Sequence, residues 1–257
     1  MHKRILTWFV FALAAICWAL PVQAQDEEND GVAELVMITP MPGQGPALEA
    51  AITEYHHWIA DKPGHFRYSW YQVETGPQTG NYIARTGDHN WADFDQEFDW
   101  QDEANAKFEA DIVPLVEHAE RVLTVEMKEF AHWPEDFSEY TLFQLENWYV
   151  EAGQYGKFRA GLEKIHKALT ESGYGQYYGF QSTVSGSKGN EITLVLPHKN
   201  YADMAEEKPS FYEIVSEALG GPEAFEALMQ DFGTTYHIGK SLLVRYLPEA
   251  SSYGDEE

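Results

Sequence analysis

The chain has 257 residues, with 42 acidic side chains against 17 basic ones and a formal net charge of -25. A surface this acidic repels phosphate backbones and anionic lipid, so neither nucleic acid nor, after processing, a membrane is an expected partner. The one cysteine, Cys17, falls in the leader described next, so the remaining chain can form neither a disulfide nor a zinc–thiolate site.

The first residues read as a secretory signal. His2, Lys3 and Arg4 open it, an apolar run extends from Ile5 to Leu20, and Pro21 ends any helix there. Val22-Gln23-Ala24 supplies the small-x-Ala pattern of a cleavage site, so the cut is expected after Ala24 and the location is periplasmic or secreted. Losing Lys3 and Arg4 would move the net charge from -25 to -27. An acidic lead-in, residues 25–31, follows.

Residues 34–39 alternate and predict a strand. Residues 46–62 predict a helix with Leu48, Ile52, Tyr55 and Ile59 on its inner face, Pro46 at its start and Pro63-Gly64 at its end. Residues 66–74 and 82–85 predict a hairpin about the turn 76–80. Asn90 then caps a short helix over 91–98, a second helix covers 103–117, and a strand covers 121–130. A connector, 133–139, is stiffened by Pro134. The same order returns: strand 140–148, helix 154–172 with Phe158, Leu162, Ile165 and Leu169 inward, hairpin 177–184 and 191–196, and Asn200 capping 201–206. Helices over 210–219 and 222–232 and a strand over 241–247 complete it, before an acidic tail, 249–257.

Shifting the chain by 110 residues aligns His56 with His166, Tyr68 with Tyr178, Gly76 with Gly186, and Asn90, Ala92 and Asp93 with Asn200, Ala202 and Asp203. Each half, 32–132 and 140–248, therefore follows a βαββαβ order, the ferredoxin-like plan of an antiparallel sheet with its helices on one face. The strands carry apolar residues on both faces, so the bare faces are expected to cover each other, giving an α+β chain of two tandem repeats packed sheet to sheet as an intrachain barrel.

The repeated order, together with Asn90-Trp91-Ala92-Asp93 and Asn200-Tyr201-Ala202-Asp203, resembles the dimeric α/β-barrel superfamily of antibiotic-biosynthesis-monooxygenase-like and NIPSNAP-like domains, across nearly all of the chain after the leader. The resemblance implies a barrel in which the two halves play the parts of two subunits. It covers cofactor-free monooxygenases, haem-handling proteins, isomerase-like enzymes and binding proteins, so it implies a fold and no single function.

Three groups of residues could carry chemistry. His56 and His166 fall about 80° from the centre of their helices' apolar stripes, as an acid, base or haem ligand at a chamber rim, or as boundary histidines bonded to the neighbouring strand. On the first strand of each half, Met37 and Thr39, and Gln144, Glu146 and Trp148, are expected to face the chamber, with Val36, Ile38, Phe143 and Leu145 toward the helices. A buried Glu146 would be a base of raised pKa. Tyr71, Arg85, Tyr178 and Arg245 complete the ligand-binding set, the arginines as partners for a carboxylate or enolate oxygen or as outer ion pairs.

No metal site is expected, because His56 and His57 are adjacent, no H-x-x-x-H run exists, and His198 and His237 stand far apart. The leading expectation is an exported barrel, without a cofactor, that binds a small apolar or aromatic molecule between its sheets. The alternatives are a cofactor-free monooxygenase acting on a phenol with Glu146 or a rim histidine as base, a haem-associated protein with His56 or His166 as ligand, and a structural module whose barrel is filled by its own side chains.

Overall fold

The computed structural model describes residues 29–205 and 208–251; the signal segment and the end of the acidic tail lie outside them. Eight antiparallel strands form one closed barrel in the order β1-β3-β2-β8-β5-β7-β6-β4. The first half supplies β1 (Val32–Pro40), α1 (Gly45–Ile59), β2 (Ser69–Val73), β3 (Tyr82–His89), α2 (Gln101–Asp111) and β4 (Val116–Glu126). The second supplies β5 (Leu142–Val150), α3 (Tyr155–Ser172), β6 (Gly179–Ser185), β7 (Asn190–His198), α4 (Phe211–Ala218), α5 (Pro222–Gly233) and β8 (Tyr236–Tyr246). Several elements depart from the expected limits. Pro114 stops α2 early and β4 starts by Val116, where exposed residues give no inward alternation. β8 begins five residues before the expected strand, through a bulge beside Gly239 where the Tyr149 ring lies too close for any side chain.

Each half keeps the ferredoxin-like sheet order, β4-β1-β3-β2 and β6-β7-β5-β8. The halves meet at their strand edges, and these pairings close the barrel. Tyr71, Gln72 and Val73 pair with Tyr246, Arg245 and Val244 on one seam, and β4 pairs with β6 from Leu123↔Ser185 to Glu126↔Gln181 on the other. Closure leaves no sheet edge open, the condition an isolated four-stranded sheet fails.

Three apolar clusters follow. α1 packs Leu48 and Ile52 on Ile38, Trp70, Tyr82 and Ala84, outside the first half of the barrel. α3 packs Phe158, Leu162 and Ile165 on Trp148, Phe180 and Ile192, with α4 and α5 adding Val215, Leu228 and Phe232. The third cluster is the barrel interior: Val73, Ile83, Leu242 and Val244, with Leu35, Met37, Tyr71, Phe143 and Leu145 against them. An eight-stranded barrel is just wide enough to be filled this way. Its middle is lined by these apolar side chains, of which Leu35, Met37, Tyr71, Phe143 and Leu145 are only partly buried. Among the described residues no helix is long and apolar enough to cross a membrane.

Candidate functional site

Strand register settles which side chains face inward. Met37 opposes Ile83 and Leu35 opposes Arg85, while Tyr71 opposes Ile83 and Ser69 opposes Arg85, so Met37, Arg85, Tyr71 and Ser69 share the inner face. Thr39 is on that face too, and its hydroxyl accepts a hydrogen bond from Asn81 Nδ2 at 2.9 Å. On β5 the expected parity is reversed. Phe143 and Leu145 oppose Val244 and Leu242 inside the barrel, and Gln144, Glu146 and Trp148 face the helices. Glu146 is satisfied there by its neighbours: Gln144 Nε2 donates to Oε1 at 2.9 Å and Trp148 Nε1 to Oε2 at 3.2 Å. It is a strand-surface carboxylate beneath the helical layer and no base for a chamber.

Tyr178 and Arg245 are likewise on the helix side. Tyr178 is buried and its hydroxyl lies 2.9 Å from His166 Nδ1. Arg245 forks onto Glu74, with Nη2 donating to Oε2 at 3.1 Å, and Tyr201 donates to the same carboxylate, so the trio ties β8 to the end of β2 across one seam. The arginine's hydrogen bonds hold the Glu74 carboxyl below the usual carboxylate range. The second seam has a buried counterpart inside the barrel, where Thr124 Oγ1 donates to Gln181 Oε1 at 3.1 Å.

Both repeated histidines work under their helices. Trp70 Nε1 donates to His56 Nε2 at 2.5 Å, and the ring is 5 % exposed among Tyr55, Tyr68 and Trp70. Burial first, then His65 and His57, lower its pKa to about 4. Burial also lowers that of His166, whose ring meets Phe130 and Tyr178 edge-on. As ligands for a haem these two histidines fit poorly: each lies in a helix–sheet layer with a ring nitrogen already engaged, His56 by Trp70 and His166 by Tyr178. Nor do His198 and His237 converge. They oppose Leu142 and Tyr149 on either side of β5, seven residues or about 23 Å apart. Among the described residues no group of three or more His, Cys, Asp or Glu side chains could hold a metal ion.

What the fold does bring together is one mouth of the barrel. Here β2 and β5 begin and β3, β4 and β8 end. Five rings run in sequence across it: Tyr246 lies 5.6 Å from Tyr71, Tyr71 5.4 Å from Phe143, Phe143 6.5 Å from Phe137, and Phe137 5.8 Å from Trp133. Trp133 and Phe137 come from the connector between the halves. Trp133 lies over Gly179, where any Cβ would fall 1.7 Å from its ring, and donates through Nε1 to Glu126 on the inner face. Arg85 stands on the same rim, two residues or about 7 Å along β3 from Ile83, folded over Gly87. Arg121, Arg159 and Arg245 are paired with Glu34, Glu129 and Glu74. The Arg85 side chain is half-buried and, among the described residues, has no ion pair or hydrogen bond.

Sequence reading missed Trp133, Phe137, Phe143, Tyr246 and Glu126. Aromatic residues in a connector, and a glycine inside a strand at position 179, were the available signals.

No protein-family model and no curated protein matches this chain. Solved structures do match in fold. A monooxygenase-like protein from Lactobacillus acidophilus NCFM superposes with a TM-score of 0.52 at 8 % identity, covering 85 % of this chain and 94 % of that one. A mutant chlorite dismutase from Candidatus Nitrospira defluvii, in complex with cyanide, gives 0.52 at 12 %, covering 86 % and 92 %. An anthrone oxidase-like protein gives 0.50 at 10 %, covering 86 % and 92 %. The chain thus has the ferredoxin-like α/β-barrel fold shared by oxygenase-like proteins and chlorite dismutases. At these identities the likeness extends to the fold and no further.

Proposed function

We propose that the protein is an exported binding barrel that holds a small aromatic anion at the Arg85 mouth, without a resident cofactor. The observation that carries this is Arg85 itself: a half-buried guanidinium with no acid partner among the described residues, in a chain whose acids outnumber its bases 42 to 17. A desolvated arginine is a strong, directional partner for a carboxylate. The ring series from Tyr246 to Trp133 supplies apolar surface beside it, the combination small-molecule sites use. Met37 lies deeper on the same inner face, and Tyr71 connects that depth to the rim, whereas Thr39, bonded to Asn81, stands at the opposite mouth where β1 ends.

The test is calorimetric titration with 2-naphthoate and with neutral 2-naphthamide. Naphthoate is expected to bind at least tenfold more tightly, and Arg85→Gln to remove that preference while the fold is kept, since no partner is orphaned. Equal affinities, or unchanged naphthoate affinity in Arg85→Gln, would sink the reading. A Soret band on the purified native protein would replace it with a haem-holding one. Export is tested by N-terminal sequencing of secreted material, which should begin at Gln25.

The oxygenase-like neighbours favour a second reading, oxidation of a bound phenol by dioxygen. Glu126, the inner-face carboxylate at the same mouth, would then take the part expected of Glu146. Oxygen uptake with a hydroquinone panel, lost in Glu126→Gln, is the measurement that supports it.

A further inference from the structure

A cleft of roughly 840 Å³ lies on the outside of the second half, between α3 and the α4–α5 pair. Its floor is apolar and buried, made by Gly161, Ala168, Leu228 and Phe232. Gly161 is required there, because a Cβ would come 2.5 Å from the Phe232 ring. One wall carries Lys157, Lys164 and Lys167, at i, i+7 and i+10 on one face of α3. Lys167 has Glu171 at 3.8 Å, whereas among the described residues Lys157 and Lys164 form no ion pair. Asp231 stands on the facing wall.

These cations run against the rest of the molecule. α3 is a locally basic helix, with Lys157, Arg159, Lys164 and Lys167 against Glu163 and Glu171, in a chain of net charge -25. The positions matching Lys164 and Lys167 in the first half are Glu54 and His57. From Lys157 to Glu171 the cleft follows α3 for fourteen residues, about 21 Å. An apolar floor, an elongated shape, a cationic wall and a volume within the small-ligand range define one chemistry. We propose that this cleft binds an elongated anionic amphiphile, an alkyl carboxylate, with its chain on the Gly161–Phe232 floor and its head group at Lys157 and Lys164.

The experiment is titration of the full-length mature protein, followed by calorimetry and by amide resonances, with dodecanoate, dodecyltrimethylammonium and dodecyl maltoside, each below its micelle concentration. Dodecanoate is expected to bind at one site, to shift resonances of α3 and α5, and to bind at least tenfold more tightly than the cationic and neutral analogues. Lys157→Glu/Lys164→Glu should weaken it tenfold or more, and Ala227→Trp, an exposed lining position, should block it with the thermal midpoint unchanged. Equal binding of the three head groups, shifts confined to the barrel mouth, or undiminished affinity in the lysine variant would each overturn the proposal. So would self-association of the unliganded chain that the lysine variant abolishes, since the wall would then serve a second copy.

Discussion

The first helices of the two halves, α1 and α3, are built on one inward pattern and opposite outward ones. Inward, Leu48 and Phe158 occupy matching positions and both are fully buried, as are Ile52 and Leu162. Outward, Glu49, Glu54 and His57 on α1 match Arg159, Lys164 and Lys167 on α3. A cleft of roughly 660 Å³ runs along the acidic face, by Glu49, Glu54 and Tyr82, and the larger one along the basic face. Barrel closure constrains what lies beneath each helix and leaves the far side free to diverge. The two halves can therefore share a fold while presenting surfaces to ligands of opposite charge.

The largest effect expected of breaking this symmetry is in the cores. Phe158→Ala should cost about 3–5 kcal/mol and Leu48→Ala about 2–5 kcal/mol, with Phe158 the dearer because its ring meets Trp148, Phe232 and Tyr236. Since both seams join the halves, urea unfolding should remain one transition in each variant. Two separated transitions would show that the halves fold apart and that the seams contribute little.

The paired histidines sharpen the comparison by pH. His56 has a folded pKa near 4 against an unfolded value of 6.5, so the unfolded chain binds the extra proton first. Its neutral form stabilises the fold above pH 6.5, and that contribution is lost as the pH falls from 6.5 toward 4, by about 3 kcal/mol in the limit. His166 shifts in the same direction but is less buried. Removing the slope should therefore take His56→Gln and only weakly respond to His166→Gln. Denaturant midpoints measured from pH 7.5 to 4.5 decide it, and equal slopes for wild type and His56→Gln would contradict the burial argument.

Much of the fold was legible because local patterns report it. Two four-residue apolar stripes, two Asn caps and one constant offset define the repeats, and Gly173, with φ 69°, ends α3 as its position after the stripe suggests. Edge pairing was less so, since which strand meets which across a seam is a long-range choice without a local signature. The inner face of β5 was misread by taking polarity as a sign of the chamber. The same offset of 110 sets Glu146 against Val36 and Leu145 against Leu35, which would have turned Glu146 outward. A glutamate is tolerated on the helix side because Gln144 and Trp148 satisfy both of its oxygens. Arg85 and Arg245 carry no distinguishing sequence context. Only the presence of Glu74 beside one and, among the described residues, of no acid bonded to the other separates a seam tie from an available guanidinium.

Position 179 gives a smaller contrast, of about 1–3 kcal/mol for overpacking. Gly179 matches Ser69 in the first half, a side chain tolerated there, whereas Trp133 occupies the space over Gly179. Gly179→Ala should displace the indole and alter Trp emission, and Trp133→Ala should restore tolerance to the alanine. Additive costs in the double variant would mean that the ring does not rest on that glycine.

The smallest effect concerns the caps that make the repeat visible. Asn200 Oδ1 accepts from Ala202 N at 2.9 Å and Asp203 N at 3.3 Å, so it satisfies amides that the short turn leaves open. Asn90 sits at the matching position, and its own N–H donates to Asp93 Oδ2 at 2.8 Å, but its side-chain oxygen accepts from Asp30 N at 3.0 Å, an exposed bond to the lead-in of β1. Asn200→Ala is therefore expected to cost about 1 kcal/mol, the usual worth of such a cap, and Asn90→Ala only a few tenths, because water can replace the exposed bond. The two variants differ by one substitution at equivalent sites, so their denaturation midpoints compare directly. An Asn90→Ala loss equal to or above that of Asn200→Ala would mean that the tie to Asp30 helps hold β1 in the barrel, and that the two motifs, alike in sequence, fasten different parts of the fold.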